Sequence, residues 1–415
     1  MSETSTAVPG PTATQPGPAA EAAALDAADP LRAKRAEFVL DDTVYLDGNS
    51  LGALPAAVPG RLADVVRQEW GTGRIRSWME AGWWEAPERV GDRLAPLIGA
   101  PPGSVVVSDS TSVNVFKAVV AAVRLAQQDS ADRREILVDA TTFPTDGYLA
   151  ESAARMTGCT LRAVPAGRMP AEAGPGTAAL LVNHVDYRTG ELADLAGTTA
   201  AAHRVGARVV WDLCHSAGAL PVDVEDHGVD LAVGCTYKYL NGGPGSPAFL
   251  HVRPDLADRF DSPLPGWTSH ADPFAMSFSY APGEGIARGR VGTPDILSLL
   301  ALEEALTVWE GVDVHAVREK SLALTDFFLR CLDAHVPAGL LRVVTPREHH
   351  RRGSQVSLAC DDAGSVMERL IARGVVGDHR RPDVLRFGFA PLYTSFAETE
   401  RAARALAEVL AEGRG

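Results

Sequence analysis

The chain has 415 residues, 46% of them apolar and 22% charged, which is ordinary for a globular protein and enough for more than one buried core. Its 53 acidic and 39 basic residues leave a formal charge of −14 with no long Lys/Arg block, which excludes the usual signatures of nucleic-acid and anionic-membrane binding. Five cysteines (Cys159, Cys214, Cys235, Cys331 and Cys360) form no CxxC pair and no metal-ligand spacing. They read as buried thiols of a reducing cytoplasm, with no metal expected.

Residues 1–28, rich in Ala, Pro, Thr and Gly and free of aromatics, are expected to be a disordered tail without a signal peptide. The apolar run "AVVAAV" at 118–123 is too short to span a bilayer, so no membrane segment is expected. From Asp29 the texture changes. "EFVLDDTVYLDGNSLGALP" predicts a short strand, a turn at Asp47-Gly48-Asn49 and a proline that begins the next helix. Residues 57–98 read mainly as helix, with four of the seven tryptophans between 70 and 84.

Apolar strands then alternate with helical stretches: "SVVVS" (104–108), "EILVD" (135–139), "TLRAVP" (160–165), "AALLVNHV" (178–185), "ARVVWD" (207–212), "LAVGC" (231–235) and "PAFLHV" (247–252). Helices are predicted near 113–127, 146–157 and 194–205. Near-continuously apolar strands separated by helices predict an α/β fold with a mostly parallel seven-stranded sheet covered on both faces. A long helical segment at about 296–335 and further strand–helix units predict a smaller α+β domain. The division is 29–60 as an N-terminal segment joining the small domain, 61–300 as the large domain, and 301–415 as linking helix and small domain.

In an open α/β sheet, function is expected just beyond the carboxyl ends of the strands. Asp109, Ser110, Thr111 and Ser112 follow the first strand, where they suit either a helix N-cap or a phosphate cradle. Phe143, in "FPTD", is placed to stack on a ring. Asp212 in "WDLCHSAG" either caps a turn or, buried, pairs with a cation such as a protonated pyridine nitrogen, with His215 three residues on. Lys238 in "CTYKYLNGGPG" either snorkels to the surface or is a pocket amine whose lowered pKa favours a Schiff base. The glycines behind it permit close backbone approach to a ligand. Together these residues meet the needs of pyridoxal 5'-phosphate.

"YLDGNSLGALP", "STSVNVFK", "FPTD", "WDLCHSAGALPVDV", "GVDLAVGCTYKYLNGGPGSPAF", "RVGTPDILSL" and "LRFGFAPLYTSF" resemble the kynureninases, bacterial type, of the fold-type I pyridoxal-phosphate enzymes. The resemblance runs from about Val44 to the C-terminal helix. It implies hydrolytic Cβ–Cγ cleavage of L-kynurenine, and of 3-hydroxy-L-kynurenine as a second substrate, by a cytoplasmic homodimer with its active site at the subunit interface. It makes Lys238 the cofactor-bearing lysine, Asp212 the partner of the pyridine nitrogen, and Phe143 the stacking ring, with Asp146 and His215 nearby. Thr111, Ser112, Tyr237 and Trp267 match phosphate-site or adjacent cofactor contacts, and Thr293 a position reached across the interface. Asn183 stands where the family carries Thr or Ser. Arg386 matches the arginine that grips the substrate α-carboxylate, and Asn49 and Ser50 the loop beside it. Tyr237 is the implied proton donor, and Trp78, Trp83 and Trp84 form either an aryl pocket or plain helix packing.

Other readings on the same scaffold are a cysteine desulfurase or selenocysteine lyase, an aminotransferase, or a catalytically silent binding protein. A desulfurase needs a reactive thiol on a mobile loop after the lysine. Cys331 and Cys360 instead sit in regular apolar contexts.

Overall fold

The computed structural model describes residues 17–412. Seven strands form the main sheet: β1 (Val105–Val107), β2 (Glu135–Asp139), β3 (Thr160–Val164), β4 (Thr177–Asn183), β5 (Arg208–Asp212), β6 (Leu231–Gly234) and β7 (Phe249–Val252). Their spatial order is β1-β7-β6-β5-β4-β2-β3. β7 runs antiparallel to both of its neighbours, and the remaining pairings are parallel. The expected seven strands are therefore all present in a mostly parallel sheet.

The pleat sorts their side chains into two cores. Val106, Ile136, Val138, Leu181, Val210, Val233 and Leu250 pack under the helix Thr111–Asp129 with its Val115, Ala118 and Ala122. Val105, Val107, Leu137, Leu180, Val209, Trp211 and Phe249 point to the opposite face, against Val90, Leu94, Leu299 and Leu302. Burial on both faces explains why these strands lack polar alternation. Because the parallel strands end at one edge, the residues that follow them gather there.

A second, antiparallel sheet contains β8 (Arg342–Val343), β9 (Gln355–Ala359), β10 (Asp378–Arg380) and β11 (Val384–Gly388), in the order β8-β9-β11-β10. Phe327, Phe328, Leu358, Phe387 and Leu406 form its core with residues of the helices Val314–His335, Ala363–Ile371 and Phe396–Glu412. Val44–Tyr45 pairs in parallel with Val375–Val376, and Asp47 bridges Gly388, so the N-terminal segment is sewn to this sheet. On that packing we propose 29–60 and 301–415 as one smaller domain and 61–300 as the larger one.

Three expectations need correction. Residues 1–16 of the expected tail lie outside the described residues, but Pro18–Ala28 is a helix. Alanine is the strongest helix former and proline suits the first turn, so the composition that read as disorder also suits a helix given something to dock on. The docking is specific: Asp26 accepts from the backbone N–H groups of Phe396 (2.8 Å) and Ala397 (3.0 Å), capping the last helix. Glu21 also pairs with Arg330 at 2.6 Å. The segment 296–335 is two helices, Ile296–Ala305 and Val314–His335, parted where Gly311 takes φ 71° and Asp313 caps the second at His315 N (2.9 Å). Residues 57–98 are mainly helical as expected, though in several pieces that include a π-helical turn at Val65–Gly73. Pro55 pairs with Phe38 in a short ladder, and Pro59 is the proline in the first turn of the next helix.

Candidate active site

At the carboxyl edge of the main sheet, a cavity is lined by Thr111, Ser112, Phe143, Thr145, Asp146, Asn183, Tyr187, Asp212, Cys214, His215, Tyr237 and Lys238. Nine of the residues singled out from sequence thus share one pocket. Asp212 is the last residue of β5 and Asn183 the last of β4, and they stand side by side in register. Lys238 follows β6 after a short turn.

The floor of the pocket is a hydrogen-bonded acid pair. Asn183 Nδ2 donates to Asp146 Oδ2 and to Asp212 Oδ2, each at 3.0 Å. Asp212 Oδ1 accepts from Cys214 N at 2.7 Å. Thr142 Oγ1 donates to Asp146 Oδ2 at 3.2 Å and also contacts Asn183 Oδ1. Burial, reinforced by the charge of Asp212, pushes the Asp146 carboxyl well above the usual carboxylate range.

Lys238 Nζ lies 3.0 Å from His215 Nε2 and 5.9 Å from the Tyr237 ring centroid. Burial, with Lys238, Arg386 and Arg380 nearby, drives the His215 pKa well down, so its ring is neutral and accepts from the lysine. His215 Nδ1 is buried without a partner. Burial and the neighbouring Cys235 and Cys214 thiols raise the Tyr237 pKa and keep its hydroxyl protonated.

The start of the Thr111–Asp129 helix resolves the choice left open for its first residues. Ser110 is the N-cap, accepting from Val113 N at 3.4 Å. Asp109, in the left-handed region at φ 59°, turns away and binds the buried Lys117 at 2.7 Å. Thr111 and Ser112 remain at the pocket wall with first-turn N–H groups that have no intrahelical acceptor.

Arg386 lies deeper, in β11, and its Nη1 donates to Tyr187 O at 2.8 Å. Ser50 Oγ accepts from Arg386 Nη2 at 2.8 Å, and Asn49 is wholly buried beside Gln355. Trp267 and Thr293 line other cavities. Trp267 packs with Trp84 (ring centroids 5.3 Å apart) near Phe274, and Thr293 stands with Asp109, Ser110 and Asp295. Of the three tryptophans weighed for an aryl pocket, Trp83 is buried and donates to Glu69 at 2.6 Å, which is packing. Trp84 joins the Trp267 group.

Sequence reasoning missed Thr142, Tyr187 and Gln355. Thr142 directly precedes "FPTD" and Tyr187 lies four residues past Asn183, so reading further beyond each strand end was the available signal. The glycines after Lys238 also act differently from expectation. Gly243 and Gly245 adopt φ 90° and 75°, while a Cβ on Gly242 would meet Ser246 Oγ at 2.5 Å. They shape a tight turn and no ligand contact is needed to explain them.

The fold is that of the fold-type I pyridoxal-phosphate enzymes. The chain superposes on the cysteine desulfurase CsdA of Escherichia coli with a TM-score of 0.75 at 19% identity, covering 92% of this chain and 98% of that one. It superposes equally, at TM-score 0.75 and 19% identity over 90% and 98% of the chains, on a C-DES variant with glycine covalently linked to the PLP cofactor.

Sequence comparison narrows the class. Residues 317–406 match the kynureninase C-terminal domain. The chain is 49% identical over 391 residues to the kynureninase of Pseudomonas fluorescens, covering 93% of this chain and 94% of that one. It is 51% identical over 399 residues to the kynureninase of Deinococcus radiodurans, covering 94% and 96%. The chain belongs to the kynureninase family.

Proposed function

We propose that the chain hydrolyses L-kynurenine to anthranilate and L-alanine, using pyridoxal 5'-phosphate. The observation that carries this reading is identity of about one half, over nearly the whole chain, to two kynureninases. The desulfurase alternative loses its nucleophile: Cys331 and Cys360 are buried, and burial lifts both thiols to about 11.

The pocket fits the cofactor on its own chemistry. A neutral imidazole with an unpartnered buried Nδ1, two buried carboxyl groups joined through Asn183 and a helix terminus with free donors suit a flat ring with a basic nitrogen and an anionic tail. Lys238 would hold it by its amine, Asp212 at the ring nitrogen, Phe143 against the ring, and Thr111 and Ser112 at the phosphate. When bound, the cofactor supplies the electron sink that makes the α-carbon acidic and the Cβ–Cγ bond breakable.

The remaining work falls to the chain. Arg386 grips the α-carboxylate with a planar, permanently charged fork. The Lys238 amine, once free, moves the α-proton, and neutral His215 at 3.0 Å orients that amine without repelling it. Water adds to the side-chain ketone, the Cβ–Cγ bond then breaks with Cγ leaving as the carboxyl carbon of anthranilate, and Tyr237, which keeps its proton until that point, delivers it to Cβ. Asn183 ties Asp146 to Asp212 through its two hydrogen bonds.

A homodimer is part of this reading. Phe274, Met276 and Phe278 stand exposed on the loop after Trp267, large apolar side chains of the kind that an interface covers. Trp267 and Thr293, which line cavities apart from Lys238, would then serve the site of the second copy. Among the described residues no helix is long and apolar enough to cross a membrane, and the five cysteines are free, which supports action in a reducing compartment. The test is turnover of kynurenine and 3-hydroxykynurenine by the purified holoenzyme, read by product fluorescence. Anthranilate formation from kynurenine is expected. No product from either would overturn the reading.

A further inference from the structure

The surroundings of Arg386 contain a carboxylate that the reaction does not call for. Asp378 lies directly opposite Arg386 in the antiparallel register of β10 and β11. Its Oδ1 accepts from Arg386 Nε at 2.9 Å, and its Oδ2 meets Arg386 Nη2. Ser50 Oγ donates to the same Oδ2 at 3.0 Å, and Arg380, two residues along the same strand face, donates to it from Nη2 at 2.7 Å. Arg386 is 1% exposed, so its orientation is set by these partners and not by solvent.

A guanidinium has five N–H donors in a fixed fork. Asp378 takes two, along the Nε–Nη2 edge. Tyr187 O takes one from Nη1, and Ser50 Oγ takes the second from Nη2. The one N–H left over for a substrate carboxylate is the second on Nη1, beside the bond to Tyr187 O, and Tyr187 itself lines the lysine pocket. Ser50 sits on the Nη2 hydrogen that a bidentate carboxylate would share.

We infer that Asp378 is a positioning residue for recognition of the substrate α-carboxylate, clamping one edge of Arg386 so that the other is presented to the pocket. The inference rests on the reading of Arg386 as the carboxylate grip. A carboxylate is suited to the task because its two oxygens match the fork in one plane, and charge assistance makes each bond about twice as strong as a neutral one. Its own negative charge would oppose an incoming carboxylate, and Arg380 offsets that charge from the far side.

The test compares holoenzymes carrying Asp378→Asn and Asp378→Glu. Two ligands are used: kynurenine, and its decarboxylated amine, which binds without a carboxylate and is followed by the change in cofactor absorbance. With Asp378→Asn, KM for kynurenine is expected to rise at least about tenfold, the size of one lost charge-assisted hydrogen bond. Within the same variant kcat changes less than about threefold and amine affinity less than about twofold. Asp378→Glu, which keeps the charge, recovers part of the KM loss, and it stands in if Asp378→Asn does not fold. Unchanged or lower KM, or equal losses for both ligands, would overturn the inference. Arg386→Lys, run beside them, separates the two claims. If that variant binds kynurenine normally, the grip assignment itself is wrong, whatever Asp378 does.

Discussion

Replacing Asp109 with Asn isolates the electrostatics of the turn that carries Thr111 and Ser112. Asn tolerates the left-handed backbone that Asp109 adopts at φ 59°, so the fold of the turn is kept and only the charge is lost. Lys117 is fully buried, its ammonium 2.7 Å from Asp109 Oδ2 and 2.6 Å from Gly289 O. Breaking a buried pair by removing one partner costs about 3–5 kcal/mol, because the remaining charge is stranded. The Asp109 side chain is 24% exposed, which screens part of the interaction, so about 2–3 kcal/mol is expected here. Replacing both residues, Asp109→Asn with Lys117→Met, should fall within about 1 kcal/mol of the parent, since an apolar side chain needs no partner.

Burial depresses the Lys117 pKa below its unfolded value of about 10.4, so the unfolded chain binds the extra proton and stability rises with pH across that window. Removing Asp109 depresses it further, and the deficit of the single variant should therefore shrink between pH 7 and pH 10. Urea unfolding of the parent, both single variants (Asp109→Asn and Lys117→Met) and the double variant at both pH values, followed by circular dichroism and tryptophan fluorescence, measures all four corners of the cycle. A single variant as stable as the parent, or a double variant as weak as the single, would refute the reasoning.

Burial and the charge of Asp378 push Asp47 up to about 6. Its folded pKa thus exceeds the unfolded value of about 3.9, so its ionisation costs stability as pH rises from about 4 to 6. Asp47→Asn should abolish that loss and gain about 2–3 kcal/mol near pH 7, read as a shift in urea midpoint; an unchanged pH dependence would count against the shift. Cys214, Cys235, Cys331 and Cys360 are buried and Cys159 is partly exposed, so a thiol reagent at pH 8 should label one cysteine quickly in the native protein and five after unfolding. Rapid labelling of Cys331 or Cys360 would reopen the desulfurase reading. A Cβ on Gly52 would stand 2.2 Å from Lys238 O, and Gly52 N donates to Tyr237 O at 2.8 Å. Gly52→Ala should therefore cost most of the activity while leaving the melting temperature within a few degrees, and full activity would show that the N-terminal loop does not hold the lysine turn.

The main sheet was legible because burial on both faces leaves runs such as "AALLVNHV" and "ARVVWD" almost purely apolar, a pattern that few other environments produce. Lys238, Asp212 and Phe143 were legible because each stands at or just beyond the end of such a run, and parallel strands bring their carboxyl ends together, whereas Asn183 was singled out only through the family resemblance. What escaped reading depends on contacts between distant segments. Tyr187 matters through a carbonyl that meets Arg386, 199 residues away, and Asp378 through a register pairing of two short strands. Neither contact leaves a mark on local composition. The helix Pro18–Ala28 escaped for a related reason: its sequence is compatible with disorder or helix, and the choice is made by Asp26 capping the helix that starts at Phe396. Asp109 was ambiguous between anion cradle and cap, and its partner Lys117 two turns on decides for neither.

The most direct test of the central claim is product analysis with purified holoenzyme and L-kynurenine, for the parent and for Lys238→Ala. The account predicts anthranilate and L-alanine in equal amounts from the parent and neither from the variant. Undiminished turnover in Lys238→Ala, or consumption of kynurenine by the parent without L-alanine, would contradict it.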